Sequence, residues 1–144
     1  MRRTLQIWLI VFGTVCVGIA VAHAFFGTAS IIGGGAVNAT IDSDMRFYAV
    51  LFGAYGLVVV WCARNVERKG AAINLLGAVF FVGGLARLLA WAATGEPNWF
   101  YVLMTPVELV LPILNYLLVR AVCRDGADAD GEEVAASLRQ RQVG

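Results

Sequence analysis

Trp8-Leu9-Ile10-Val11-Phe12-Gly13-Thr14-Val15-Cys16-Val17-Gly18-Ile19-Ala20-Val21-Ala22 carries no charged side chain and is apolar around the full helical turn. Leu75 to Ala86 reads the same way. A helix on the surface of a water-soluble protein keeps one polar face, so a run that is apolar on every face needs apolar surroundings. Four such runs follow one another along the chain: about Leu5 to Phe26, Met45 to Ala63, Ala71 to Ala93 and Trp99 to Val119. Each is close to the roughly 20 residues that cross a hydrocarbon core of about 30 Å. The expected fold is all-α, a bundle of four transmembrane helices over residues 1–122 with a polar tail over 123–144.

Composition agrees. Of the 144 residues, 60% are hydrophobic, and the mean hydropathy is +0.75; apolar residues make up roughly half of an ordinary soluble domain. Charged residues are 15% of the chain and the net charge is +1, with no concentrated basic face of the kind that nucleic acid requires.

The placement of charge predicts an orientation, because Lys and Arg flanking a span are retained in the cytoplasm. Arg2 and Arg3 precede the first span, Arg64, Arg68 and Lys69 fill the second loop, and Arg120, Arg124, Arg139 and Arg141 follow the fourth span. The segment Gly27 to Ser43 and the short loop around Gly95 hold no Lys or Arg. Both termini are therefore expected in the cytoplasm, in a multi-pass protein of the inner (plasma) membrane. Met1-Arg2-Arg3, the apolar run and Ala22-His23-Ala24 also imitate a cleavable signal peptide, which would leave three spans. That run exceeds the roughly 7–15 residues of a signal core, which favours a retained helix.

Several local features have plain readings. Gly33-Gly34-Gly35 lacks the Gly-Lys-Ser/Thr ending of a phosphate loop and reads as an external connection. Thr40, Asp42 and Ser43 offer cap oxygens to the start of the second helix. Thr14, Gly18 and Ala22 form one small-residue stripe, and Ala49, Gly53 and Gly56 another, of the kind that lets helices approach closely in lipid. Cys16, Cys62 and Cys123 have no metal spacing and read as packing residues rather than disulfide partners. An EF-hand register on Asp128, Asp130 and Gly131 fails at Gly126 and Ser137, so the tail reads as solvated, with a short helix near Val134 to Arg141. No metal and no cofactor is expected.

The topology gathers His23, Asn38, Asp42, Asp44, Arg46, Arg87, Glu96, Asn98 and Glu108 toward the external half. Glu108 lies about 13 Å along its helix from Trp99, and Arg87 about 9 Å from Ala93, at 1.5 Å per residue. An unpaired charge at that depth costs about 2.5–3.5 kcal/mol on insertion scales, so the two are expected to pair, or Glu108 to be protonated. Gly83 and Gly84 leave room one turn before Arg87, and Pro112 frees the carbonyl of Glu108. One reading is a pocket built from Asp42, Arg46, Arg87 and Glu108, with Asn38 and Tyr48 beside them, that binds a membrane lipid or small amphipathic ligand. The alternative is an ion pair that sets helix register.

The stretch Val37-Asn38-Ala39-Thr40-Ile41-Asp42-Ser43-Asp44-Met45-Arg46-Phe47-Tyr48-Ala49 resembles the signature of an uncharacterised bacterial family of small four-helix membrane proteins. Gly83-Gly84-Leu85-Ala86-Arg87 and Pro106-Val107-Glu108-Leu109 resemble its later motifs, and the similarity covers about residues 5 to 120. The resemblance implies fold and membrane location and supplies no catalytic residues. More distantly, the arrangement is similar to DoxX-like proteins and to the ergosterol-pathway scaffold family, which would imply a helper that gathers membrane enzymes.

Three functions follow as expectations. The first is a non-enzymatic protein that binds a lipid-like molecule or scaffolds a membrane protein partner. The second is a small proton-coupled transporter using Glu108. The third, a membrane enzyme, finds no Ser-His-Asp order, thiol pair or dense metal cluster to support it.

Overall fold

The computed structural model describes the backbone of residues 1–143 and the side chains of residues 1–124 and 139–140. It contains four long helices: α1 (Arg2–Phe26), α2 (Ala39–Ala63), α3 (Gly70–Thr94) and α4 (Trp99–Val143), with a 3-10 turn at Gly27–Ser30 after α1. Among the described residues there is no strand. All four helices have the length and composition of a membrane span, in α4 over Trp99–Arg124. Within those spans only 17–22% of residues are buried by the protein itself. Leu75, Val79 and Leu89 are among the many large apolar side chains left exposed. That surface suits lipid and would aggregate in water. The chain is a multi-pass membrane protein with a four-helix bundle.

Two helix boundaries differ from the hydropathy reading. The second helix starts at Ala39 rather than near Met45, and its cap is Asn38, whose side-chain oxygen accepts the Ile41 N–H at 3.0 Å. Thr40, Asp42 and Ser43 lie inside the first turn and a half. Hydropathy marks where a helix enters lipid, whereas the cap marks where its backbone bonds begin, and a polar turn lies between the two. The fourth helix continues through Val143 in place of a separate short helix near Val134. No proline follows Pro112 to interrupt it. The acidic side chains Asp125, Asp128, Asp130, Glu132 and Glu133 lie outside the described side chains.

The helices pair as two hairpins. α1 runs along α2, α3 runs along α4, and contacts between the hairpins are sparse. The α1–α2 contact is set by glycine: a Cβ on Gly13 would stand 2.7 Å from the Gly56 carbonyl oxygen, and a Cβ on Gly56 would stand 2.7 Å from that of Gly13. The buried face of α1 is therefore Gly13, Cys16 and Ala20. The expected stripe of Thr14, Gly18 and Ala22 is displaced from it, and Gly18 has open space around its Cα. On α2 the expected Ala49, Gly53 and Gly56 do meet α1: Ala49 and Gly56 are buried, and Gly53 faces Ala20.

The hydrophobic core lies at one end. Leu5 and Leu9 from the start of α1, Val59, Cys62 and Ala63 from the end of α2, Val66, Ile73, Val119 and Val122 form a single cluster. This end also carries the basic residues that flank the spans, with Arg2 3.4 Å from Glu67 and the Lys69 ammonium over the Trp61 ring. Two polar contacts tie the hairpins near it: Trp8 Nε1 donates to Asn115 Oδ1 at 2.9 Å, and the Tyr55 hydroxyl donates to the Leu76 carbonyl at 3.1 Å. Toward the far end the core gives way to a cleft between the hairpins.

Candidate functional site

One face of α3 lines the cleft. Phe80, Gly83, Arg87, Ala90 and Thr94 recur at three- and four-residue spacing, which places them on one side of the helix. Opposite them Leu51, Phe52 and Tyr55 come from α2. Gly83 has nothing within 4 Å of where a Cβ would stand, whereas a Cβ on Gly84 would press on Leu109 and Glu108. The adjacent glycines thus divide the work, one opening the cleft and the other letting α4 approach.

The approach at Gly84 brings Glu108 to Arg87. Arg87 Nε donates to Glu108 Oε2 at 2.6 Å, with the Glu108 side chain 12% exposed and the Arg87 side chain 41% exposed. The guanidinium also lies 5.1 Å from the Tyr101 ring centroid, a cation–π arrangement. Among the described residues neither terminal nitrogen of Arg87 has a hydrogen-bond partner.

Arg87 stands where two cavities meet. Below it is an apolar chamber of about 540 Å³, with Leu51, Phe52, Tyr55, Val79 and Phe80 on its walls and Glu108 at its edge. Phe52 stacks on Tyr55 and Tyr55 on Phe80, with interplanar angles of 8° and 18°. Above Arg87 is a more polar vestibule of about 520 Å³, bordered by His23, Trp91, Glu96, Tyr101 and Thr105. Arg87 and Ala90 belong to both. Each volume falls within the roughly 300–1,000 Å³ of small-molecule sites.

Residues 4–119 match the model of a domain of unknown function, DUF4345. The chain belongs to the DUF4345 family. The match spans every residue that lines the two cavities. Comparison with curated proteins and with solved structures yields no match.

In this DUF4345 chain the candidate residues separate into two groups. Arg87 and Glu108 form the pair in the cleft. Asp42 and Arg46 form a second pair, Nε to Oδ2 at 2.8 Å, that clasps the end of α1. Arg46 Nη1 donates to the carbonyls of Ala24 at 2.8 Å and Phe25 at 3.0 Å, two of the oxygens that a helix end leaves without partners. Asp42 Oδ1 accepts both the Thr28 N–H at 2.8 Å and the Thr28 hydroxyl at 3.0 Å. Gly27, at φ +56°, sits against this pair, where a Cβ would collide with Asp42 and Arg46. Asn38 caps α2. Tyr48 is 62% exposed and meets Phe47 edge-on at 5.7 Å, away from both cavities.

His23 borders the vestibule, and its Nδ1 bonds the Ser30 hydroxyl, which itself donates to the Gly27 carbonyl at 2.6 Å. With the hydroxyl proton so used, Nδ1 carries the hydrogen of that contact. Among the described residues no three His, Cys, Asp or Glu side chains converge on a point that a metal ion would occupy. The aromatic wall of Phe52, Tyr55 and Phe80, and Tyr101 beside Arg87, is not legible as a site in the sequence, because an aromatic residue in a span reads first as an interface anchor. The signal for Phe80 was its spacing of seven residues from Arg87, two turns along the same face.

Proposed function

We propose that this protein binds one small amphipathic molecule of the membrane in the cleft between its hairpins, the apolar part in the chamber and the polar part at Arg87. The observation that carries the reading is the position of Arg87, ion-paired yet 41% exposed at the junction of the two cavities. A pair that served only helix register would be closed between α3 and α4, since every exposed donor in an apolar setting is a cost. Both termini lie in the cytoplasm in this reading, because the basic residues flank the spans at one end, and the cleft then opens toward the outer half of the inner membrane.

The test is lipid and small-molecule mass spectrometry on the full chain, extracted from native membrane in a mild detergent, alongside Gly83→Leu. The leucine side chain projects into the chamber from a position with open space, so folded yield is expected to hold. A molecule enriched on the unaltered protein and depleted from Gly83→Leu is the expected result. Identical co-purifying sets for the two proteins would sink the proposal.

A further inference from the structure

The chemistry around Arg87 narrows the class of molecule. The inference rests on the cleft being a ligand site and concerns the head of the ligand. Arg87 and Glu108 together are formally neutral, and the pair lies within spans of low dielectric. A charged head brought to this junction would add a third charge to a balanced pair, and removing an ion from water without a new partner is strongly unfavourable. An anion would also meet Glu96 in the vestibule, and a cation would meet Arg87 itself.

What the junction does offer is donors. The Arg87 guanidinium spends Nε on Glu108 and carries four further N–H groups on its terminal nitrogens, which make no hydrogen bond among the described residues. The nearby threonine hydroxyls are spent on their own helix, Thr105 on the Tyr101 carbonyl at 2.9 Å and Thr94 on the Ala90 carbonyl at 2.7 Å. In the chamber the Tyr55 hydroxyl is taken by the Leu76 carbonyl, so the wall of stacked rings presents apolar faces. Free donors above an apolar chamber, on a guanidinium whose charge Glu108 already balances, match a neutral carbonyl or hydroxyl oxygen on an apolar body.

We infer that the ligand is a neutral amphiphile with an oxygen-acceptor head, a carbonyl or hydroxyl group held by the terminal nitrogens of Arg87, and one apolar chain or ring system in the chamber. An ionised head, whether carboxylate, phosphate or amine, is disfavoured.

Three amphiphiles sharing the oleyl chain separate these cases: monoolein, oleate and oleylamine, each titrated against the full chain in detergent and read by native mass spectrometry. Monoolein is expected to bind at least about tenfold more tightly than the other two, because an ionised head must leave water for a site whose charges are already balanced. The double substitution Arg87→Met with Glu108→Leu, which removes both charges together and leaves no unpaired ion, is expected to weaken monoolein about tenfold, the loss of one hydrogen bond to a charged donor; unchanged monoolein affinity overturns the contact with Arg87. The head series on the unaltered protein needs no variant to fold. Oleate or oleylamine binding as tightly as monoolein, with Gly83→Leu weakening all three, overturns the neutral head and leaves the cleft reading standing. Binding of all three that is indifferent to Gly83→Leu overturns both.

Discussion

Gly18 and Gly56 lie in the membrane-spanning parts of neighbouring helices, and lipid alone does not distinguish them. Their surroundings do. A methyl on Gly56 would stand 2.7 Å from the Gly13 carbonyl oxygen and 2.9 Å from Val17, with backbone on one side that cannot swing away. A methyl on Gly18 meets nothing within 4 Å. Gly56→Ala is therefore expected to destabilise the bundle by about 1–3 kcal/mol, the range for overpacking a closed contact. Gly18→Ala should stay within about 0.5 kcal/mol, as at other uncommitted surface positions. Reversible unfolding in mixed micelles, followed by tryptophan fluorescence, checks the pair; equal losses at both positions would contradict the helix rotation described above. Arg87 and Glu108 were legible at this same scale, since counting residues from the span ends put both at similar depth and an unpaired charge there is costly. The four-residue spacing of Asp42 and Arg46 suits a pair one helical turn apart, but their clasp of α1 is not legible, because the groups they bond lie 14 to 22 residues away in sequence.

At the scale of elements, the end of α1 depends on α2. The carbonyls of Ala24 and Phe25 and the amide of Thr28 are satisfied by side chains of α2, so the 3-10 turn Gly27–Ser30 is held from outside as well as by its own bonds. Arg46→Met keeps much of the side-chain volume and removes these donors. Amide hydrogen exchange of the segment from Ala24 to Ser30 is expected to quicken, with the rest of α1 unchanged at Leu5 and Leu9, which pack in the core. Unchanged exchange across the turn would show that the clasp contributes nothing to its order. The start of α2 carries the same lesson: the polar residues between Asn38 and Met45 look like loop by hydropathy, yet they form helix because Asn38 caps the first turn and Asp42 sits favourably near the positive end of the helix dipole.

For the whole molecule, the decisive feature is that the hairpins share a core at the basic end and a cleft at the other. We propose that the basic flanks keep the core end in the cytoplasm and turn the cleft outward. With an impermeant maleimide on intact cells, a cysteine at Gly35 in a background lacking Cys123 is expected to react at once, while the native Cys123, which is exposed, should react only after permeabilisation. The opposite pattern would invert the orientation and with it the leaflet from which a ligand reaches the cleft.

The number of helices and their residence in lipid were determined by the sequence alone, because the transfer of an apolar residue from water into hydrocarbon is a local property that each run carries with it. The rotation of those helices was decided only in the tertiary structure. Between spans there is no water to drive association, so close backbone approach chooses the contact face, and the sequence offers Gly13-Cys16-Ala20 and Thr14-Gly18-Ala22 on nearly equal terms. Gly13 meeting Gly56 selects the first. The chamber beside Gly83 and the exposure of Arg87 between two cavities were settled at that scale too, by how two hairpins joined at one end stand apart at the other.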